Sequence, residues 1–273
     1  MPLDAFLLAL GAAALHAGWN ILVARADDVR AATTVALCLS VVLFAPVAFL
    51  TWDVDASAVP WIVVSAALEL AYFMLLTTAY RDSDVSLVYP IARGVAPVLV
   101  LAGGWLAGAK LGALAAVGVL LVGLGVLLVR GAPRRADGRG VLLALAIAGT
   151  IAGYTLADNE GIEHASTIAY LELVLAPVAV VALLAHAFVG RLASVRREIG
   201  LATVAAALGS FGAYALVLAA LEIASAASVA AVRETSVLFA VGLGAVVLHE
   251  RVTPWRSVGA ALVVAGVALV ATA

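Results

Sequence analysis

The stretch DVSLVYPIARGVAPVLVL, residues 84–101, decides how the chain is read. It is apolar over the length of a membrane helix, and it carries Arg93 near its middle. A second stretch, SAASVAAVRETSVLFAV at 225–241, repeats the idea with Arg233 in the matching place. Burying a guanidinium at bilayer depth costs about 2.5–3.5 kcal/mol on insertion scales. Two arginines at equivalent points admit two readings. They hold a ligand together, or each pairs with an internal carboxylate and fixes helix packing.

Composition extends the membrane reading to the whole chain. Hydrophobic residues make up 66% of it and charged residues 12%, whereas soluble domains carry about 25% charged residues. A chain of 273 residues cannot enclose that much apolar surface, so the bilayer is part of its solvent. The net charge of −2 gives no reason to expect nucleic acid. Cys38 is the single cysteine, which excludes a disulfide scaffold or a cysteine-based metal site and leaves a small packed residue. The N-terminus, MPLDAFLLAL, has no basic region before its apolar run, and we read it as a first span rather than a cleaved signal.

Charges divide the chain into ten apolar segments, each near the ~20 residues a helical span needs. They cover 5–24, 31–51, 61–80, 85–106, 111–129, 141–157, 166–189, 199–221, 226–248 and 257–271. The runs are continuous and rich in Ala and Leu, without period-two alternation, so helices are expected and strands are not. The fold class is an all-α integral membrane protein. The connections after the odd-numbered segments hold Arg25, Arg30, Arg81, Arg130, Arg134, Arg135, Arg139, Arg191, Arg196, Arg197, Arg251 and Arg256. The others hold only Lys110 and carry Asp53, Asp55, Asp158, Glu160, Glu163 and Glu222. Twelve basic residues against one, read by the positive-inside rule, put the odd-to-even connections in the cytoplasm and both termini outside.

The segments also repeat. LLALGAAALHAGWNILVAR at 7–25 aligns without gaps to LLALAIAGTIAGYTLADNE at 142–160. FAPVA at 44–48 matches LAPVA at 175–179, and AYFMLL at 71–76 matches AYALVL at 213–218. The two arginine stretches follow, and GVLLVGLGVLLV at 118–129 then matches GAALVVAGVALV at 259–270. Two five-helix repeats, 1–131 and 138–273, are therefore expected. Five is odd, so the second repeat must cross the membrane in the opposite sense. Such inverted repeats place a site near midplane between the halves.

The motifs HAGWN at 16–20, YPIARGVAP at 89–97, VRETSVLF at 232–239 and LHERVT with GAALVVAGVAL across 248–269 carry a family likeness. Through them the chain resembles EamA-type transporters of the drug/metabolite transporter superfamily, over its whole length. His249 stands where the family's turn has Gly, and Lys110 where the first half would have Glu. The resemblance implies alternating-access transport and a cavity lined by helices 1, 3, 4, 6, 8 and 9 of the ten, with helices 5 and 10 peripheral. HAGWN and the Arg-Gly and Arg-Glu variants look like a metabolite-efflux branch. The resemblance also implies cytoplasmic termini, against the charge pattern, and both orientations stay open here.

Five ionisable residues lie well inside expected spans: Glu69, Arg93, Glu172, Arg233 and Glu234. Two ion pairs leave one carboxylate over. An unpaired carboxylate in low dielectric can carry a proton, which makes Glu69 and Glu172 proton-coupling candidates. Either could instead lie nearer an interface, Glu172 especially, because the acidic connection at 158–163 is close. Arg233 and Glu234 are sequence neighbours and diverge by about 100° on a helix, so each must find its partner elsewhere. Arg93 and Arg233 facing one cavity would bind a carboxylate or phosphate through their donor forks, which predicts an anionic or zwitterionic, amino-acid-like solute. Pro90 and Pro97 free the carbonyls of Ser86 and Arg93 and suggest a kinked helix along a wet cavity, or a kink closed by Ser or Thr. Residues 225–241 contain no proline, so the two halves differ there. His16, Trp19 and Asn20, at i, i+3 and i+4, share a helix face and are substrate-binding candidates with Tyr72, Tyr89, Tyr154 and Tyr214. For Trp19 an interfacial anchor, and for the tyrosines packing, are equally open. Gly118 with Gly125, and Gly259 with Gly266, make smooth faces for close helix contact.

The function these observations favour is secondary transport of small metabolites, with export as the direction, in the cytoplasmic (inner) membrane. No GxxxxGK[ST] loop is present, which excludes direct ATP use by that route. A lipid or lipid-linked sugar flippase of the same fold is the second reading. An integral membrane enzyme is the third, but the chain has no GxSxG, HExxH or DxxD array, and its histidines are scattered at 16, 164, 186 and 249. His249, Glu250 and Arg251 read as a solvated cytoplasmic turn. No cofactor or metal is expected. The expected partners are the lipid bilayer and a small-molecule solute, with a homodimer open.

Overall fold

The computed structural model describes residues 1–83, 85–130, 137–247 and 253–273. The turn at His249, Glu250 and Arg251 lies outside the described residues. Among the described residues the chain forms twelve α-helices and no strand ladder, only an isolated bridge between Val54 and Ala165. The helices are α1 Leu3–Ala24, α2 Val29–Leu50, α3 Val59–Asp82, α4 Val85–Leu106, α5 Ala113–Arg130, α6 Gly138–Gly161, α7 Thr167–Phe188, α8 Leu192–Arg197, α9 Leu201–Leu221, α10 Ala226–Arg233, α11 Ser236–Val247 and α12 Pro254–Thr272. Eight helices among the described residues are long and apolar enough to cross a membrane, and the α5 region is apolar and slightly shorter. Large apolar side chains such as Leu3, Phe49, Leu50, Leu106 and Phe188 face outward. A lipid-facing surface needs such side chains, and a surface in water does not.

Local signals set the helix ends. Asp28 caps α2, Asp137 caps α6, Ser225 caps α10 and Thr253 caps α12, each side chain accepting a backbone N–H of the first turn. Pro60 and Pro254 stand in first turns, where a missing N–H costs nothing.

Two sequence expectations change. The segment expected as one helix over 226–248 is two, α10 and α11, separated at Glu234–Thr235. At 1.5 Å per residue α10 is about 12 Å long, so it does not cross a bilayer alone. α4, with Pro90 and Pro97 inside it, is a single helix. The break therefore falls in the proline-free arginine stretch. There, Glu234 and Thr235 donate their backbone N–H groups to Ala231 and Val232, three residues back, and the Thr235 hydroxyl also donates to the Val232 carbonyl. Hydroxyl side chains compete with the helix ladder in this way. Second, α6 continues to Gly161, past the expected end at Ala157, and takes Asp158 into the protein interior.

The packing pairs elements of the two halves. α1 lies along α9 and α3 along α6; α4 packs on α6, and α10 and α11 pack on α1; α2 meets α7, and α5 meets α12. The α5–α12 contact is backbone on backbone. A Cβ on Gly118 would sit 2.6 Å from the Gly266 carbonyl oxygen, and one on Gly125 would sit 2.7 Å from that of Gly259. The four glycines expected to give close contact face one another.

At one end of the bundle the connections at 51–58 and 162–166 are tied together. The Asp55 N–H donates to the His164 carbonyl (2.9 Å), the Ser166 N–H to that of Asp53 (2.7 Å), and the Ser166 hydroxyl to that of Thr51 (2.6 Å). The Thr167 hydroxyl donates to Glu222 nearby. Asp53, Asp55, Glu163 and Glu222 line an open depression at this end. The backbone N–H of Ser57, and then its hydroxyl, donate to the Asp55 carboxylate and hold its pKa below the usual value.

Candidate functional site: a buried charge cluster between the halves

α4 brings Arg93 inward and α10 ends on Arg233, with Glu234 just beyond it. Arg93 Nε and Glu234 Oε2 stand 3.1 Å apart, and both side chains are buried. Neither atom is aligned for a hydrogen bond, so the contact is an ion pair. An Arg93 NH2 group donates to the Ser236 hydroxyl at 3.2 Å. The helix break is thus where the first half's arginine meets the second half's carboxylate. The residues at the break, Glu234 and Ser236, are both buried and both contact Arg93 of α4.

Arg233 points elsewhere, as the divergence of neighbours on a helix requires. It donates to the Tyr154 hydroxyl at 3.1 Å. Tyr154 is the centre of an aromatic row, with ring centroids 6.4 Å from Tyr72 and 6.2 Å from Tyr214. Tyr89 acts electrostatically on Arg93, as does Tyr72.

Asp158 is the site residue that the sequence reading missed. It is 1% exposed and accepts three hydroxyl hydrogen bonds. Ser65 donates to Oδ1 at 2.5 Å, Tyr170 to Oδ1 at 3.0 Å and Tyr214 to Oδ2 at 2.6 Å. α3, α7 and α9 therefore converge on one carboxylate of α6. Its position, one turn beyond Tyr154, was a usable signal, because i and i+4 share a face. Ending the expected segment at the first charge hid it.

Glu69 belongs to the same cluster. It is buried, faces Asp158 and Arg233, and interacts with the Tyr214 hydroxyl. Glu172 does not. It lies in α7 with Oε2 buried and unpartnered among the described residues, and no charged group acts on it. His16 faces Arg93 and Arg233, and its ring meets that of Trp19 edge-on at 5.3 Å. Trp19 packs on α9 at Gly209, with its indole N–H buried and unpartnered among the described residues. Asn20 is exposed, and its amide donates back to the His16 carbonyl at 2.6 Å. Of the HAGWN face, only His16 reaches the charges.

The cluster draws on α1, α3, α4, α6, α7, α9, α10 and α11, while α5 and α12 supply none of the groups named. Chemically it offers two guanidiniums, three carboxylates and a row of phenols in a low-dielectric interior. Among the described residues no group of three or more potential metal ligands forms.

A helical bundle with many membrane-length apolar helices around buried charge defines a multi-pass membrane protein. Residues 138–272 match the model of the EamA-like transporter family, and through this half the chain belongs to that family, as its motifs implied. A solved crystal structure, described only as that of a protein, superposes with a TM-score of 0.78 over 98% of this chain and 96% of its own, at 17% identity. That likeness concerns the fold alone. No curated protein matches the chain.

Proposed function

We propose that the chain is a secondary transporter that exports small zwitterionic or anionic metabolites, amino-acid-like in charge, across the cytoplasmic membrane by alternating access. Residues 1–131 and 138–273 are two inverted five-helix repeats in this reading, with α10 and α11 together forming one span. The two-fold pattern of packing supports it, since α1 on α9 is matched by α6 on α3, and the α5–α12 contact is matched by itself. The observation that carries the proposal is the Arg93–Glu234 pair with Arg233 beside it. A guanidinium joins the two halves, and a second one offers donors to a solute carboxylate. An element whose buried charges link two halves can break and re-form as they rock against each other.

The test compares medium and cell metabolites in strains expressing the wild type or Arg233→Gln at matched membrane levels. One or a few amino-acid-like solutes should accumulate outside only with the intact arginine. No difference across soluble metabolites would refute the proposal and direct attention to lipid-linked solutes.

A further inference from the structure

We propose that the connection between α7 and α9 is a binding site for an anionic phospholipid, whose headgroup phosphate docks on Arg191, Arg196 and Arg197. The inference does not depend on the solute proposed above.

The chain builds this connection tightly. α7 closes at Gly190, whose φ of +70° is a left-handed value that glycine tolerates. The Arg191 N–H donates back to the His186 carbonyl at 2.8 Å, and the Gly190 N–H to that of Ala187 at 3.0 Å. Those two bonds end a helix and turn the chain at once. α8 follows directly. Its Val195 is buried with Ala31 and Val35 of α2, which lays α8 against the end of that helix. Arg191, Arg196 and Arg197 stay exposed around it.

These three cations, within seven residues, have no counter-charge in the fold. Among the described residues no carboxylate stands at ion-pair distance from any of them. Glu198 is the one carboxylate of the connection. It accepts the Asp28 N–H at 2.9 Å and so is taken up by the α1–α2 connection. Arg197 makes two long contacts with its own turn, 3.4 Å to the Ala193 carbonyl and 3.4 Å to the Ser194 hydroxyl. The connection after α2, which follows the matching stretch of the sequence repeat, carries Asp53 and Asp55 and no cation over 51–58. The positive charge therefore belongs to this connection and is not a requirement of the turn.

Place and chemistry together say what meets the charge. α7 and α9 pack on each other, and the connection joins their ends. Phe188, the last residue of α7, is 87% exposed, and Leu201, the first of α9, is 85% exposed. Leu192 on α8 is exposed as well. On a multi-pass membrane protein such side chains meet acyl chains, and arginines at the helix ends stand at headgroup depth. A phospholipid presents the two parts in that order, acyl chain and then phosphate. The planar donor fork of guanidinium fits phosphate oxygens, and basic clusters just beyond a membrane helix attract anionic lipid. A zwitterionic lipid brings its own ammonium and gains less. A water-soluble anion would satisfy the arginines and leave Phe188 and Leu201 uncovered. Val195 and Glu198 join α8 to the first half, so a lipid that orders α8 also reinforces that junction and stabilises the folded chain.

The experiment uses the full chain in neutral detergent, with phosphatidylglycerol and phosphatidylcholine of the same acyl chains as probes. Bound lipid per chain is counted by native mass spectrometry, and thermal unfolding is followed at each lipid concentration. The wild type should prefer phosphatidylglycerol, gain unfolding temperature with it, and lose part of the preference in salt. Arg191→Gln, Arg196→Gln and Arg197→Gln together should lower phosphatidylglycerol affinity about fivefold per arginine, roughly a hundredfold in all. Phosphatidylcholine binding and unfolding in lipid-free detergent should not change. Lysine at all three positions should restore most of the affinity. Arg25→Gln, at the same end of the bundle but beside Asp27 and Asp28, should leave it near the wild-type value. A triple glutamine variant that keeps its preference overturns the site, and equal losses from Arg25→Gln and Arg196→Gln alone overturn it in favour of a diffuse surface field. Complete displacement of the lipid by millimolar inorganic phosphate would make this a phosphate site and overturn the lipid assignment.

Discussion

Replacing Gly123 by alanine puts a backbone contact of the site under direct test. α4 and α5 meet at Gly94 and Gly123. A Cβ on Gly123 would lie 2.6 Å from the Gly94 carbonyl oxygen and 3.0 Å from Val98 Cγ2. Ordinary carbon–oxygen contacts are about 3.3–3.6 Å, so the helices must separate locally by roughly 0.7–1 Å. A backbone carbonyl inside a helix cannot turn aside. Overpacking of this kind costs about 1–3 kcal/mol. Alanine also gains about 0.5–1 kcal/mol over glycine within a helix, and Gly149→Ala isolates that gain, because a Cβ there meets nothing within 4 Å. Unfolding of both variants in the same detergent should rank Gly149→Ala above the wild type and Gly123→Ala about 1–3 kcal/mol below Gly149→Ala. Gly94 adjoins Arg93, so the displaced helix should also misplace the Arg93–Glu234 pair and reduce transport. A Gly123→Ala protein as stable as Gly149→Ala would refute the close approach.

Arg93→Gln and Glu234→Gln should each destabilise the protein by about 3–5 kcal/mol, because each leaves one buried charge without its partner; the double variant should cost less than the sum, and strict additivity in a double-mutant cycle would deny the pair. A reporter fused after Ala273 should behave as extracytoplasmic if the arginine-rich connections face the cytoplasm, and a cytoplasmic signal would overturn the charge-derived orientation. Asp55 has a lowered pKa in the folded chain, so its contribution to the 53–58 connection is present above its unfolded value and is lost as pH falls through the folded one. Hydrogen exchange of that connection, corrected for intrinsic rates, should rise in acid, and Ser57→Ala should move the rise to higher pH; an unmoved rise would show that these hydrogen bonds do not hold the carboxylate.

Much of the site was legible before the structure. Arg93 and Arg233 were visible because charge in an apolar run is rare, and the divergence of Arg233 from Glu234 followed from helix geometry alone. Asp158 was not legible, because it looks like the first residue of an acidic connection. Only the extension of α6 to Gly161 and the three hydroxyls from other helices mark it as interior. The split between α10 and α11 was hidden for a related reason. Proline is the familiar sign of a broken helix, yet α4 carries two prolines and is one helix. The break falls where Thr235 takes a backbone carbonyl and Glu234 meets Arg93. Trp19 and Asn20 share a face with His16, but helix packing sends Trp19 against Gly209 and leaves Asn20 exposed.

Composition and periodicity alone determined that this chain is helical and lives in a bilayer. Surplus apolar surface has no other solvent, and a backbone in lipid must satisfy its own hydrogen bonds. Internal likeness and motifs also determined its family and the two arginines that interrupt its apolar runs. Which carboxylate meets which arginine, and which is left without one, only the tertiary structure decided. A sequence gives the angle at which a side chain leaves its own helix. The partner it meets depends on how other helices cross, and here glycine contacts such as Gly94–Gly123 and Gly118–Gly266 set how closely those helices approach.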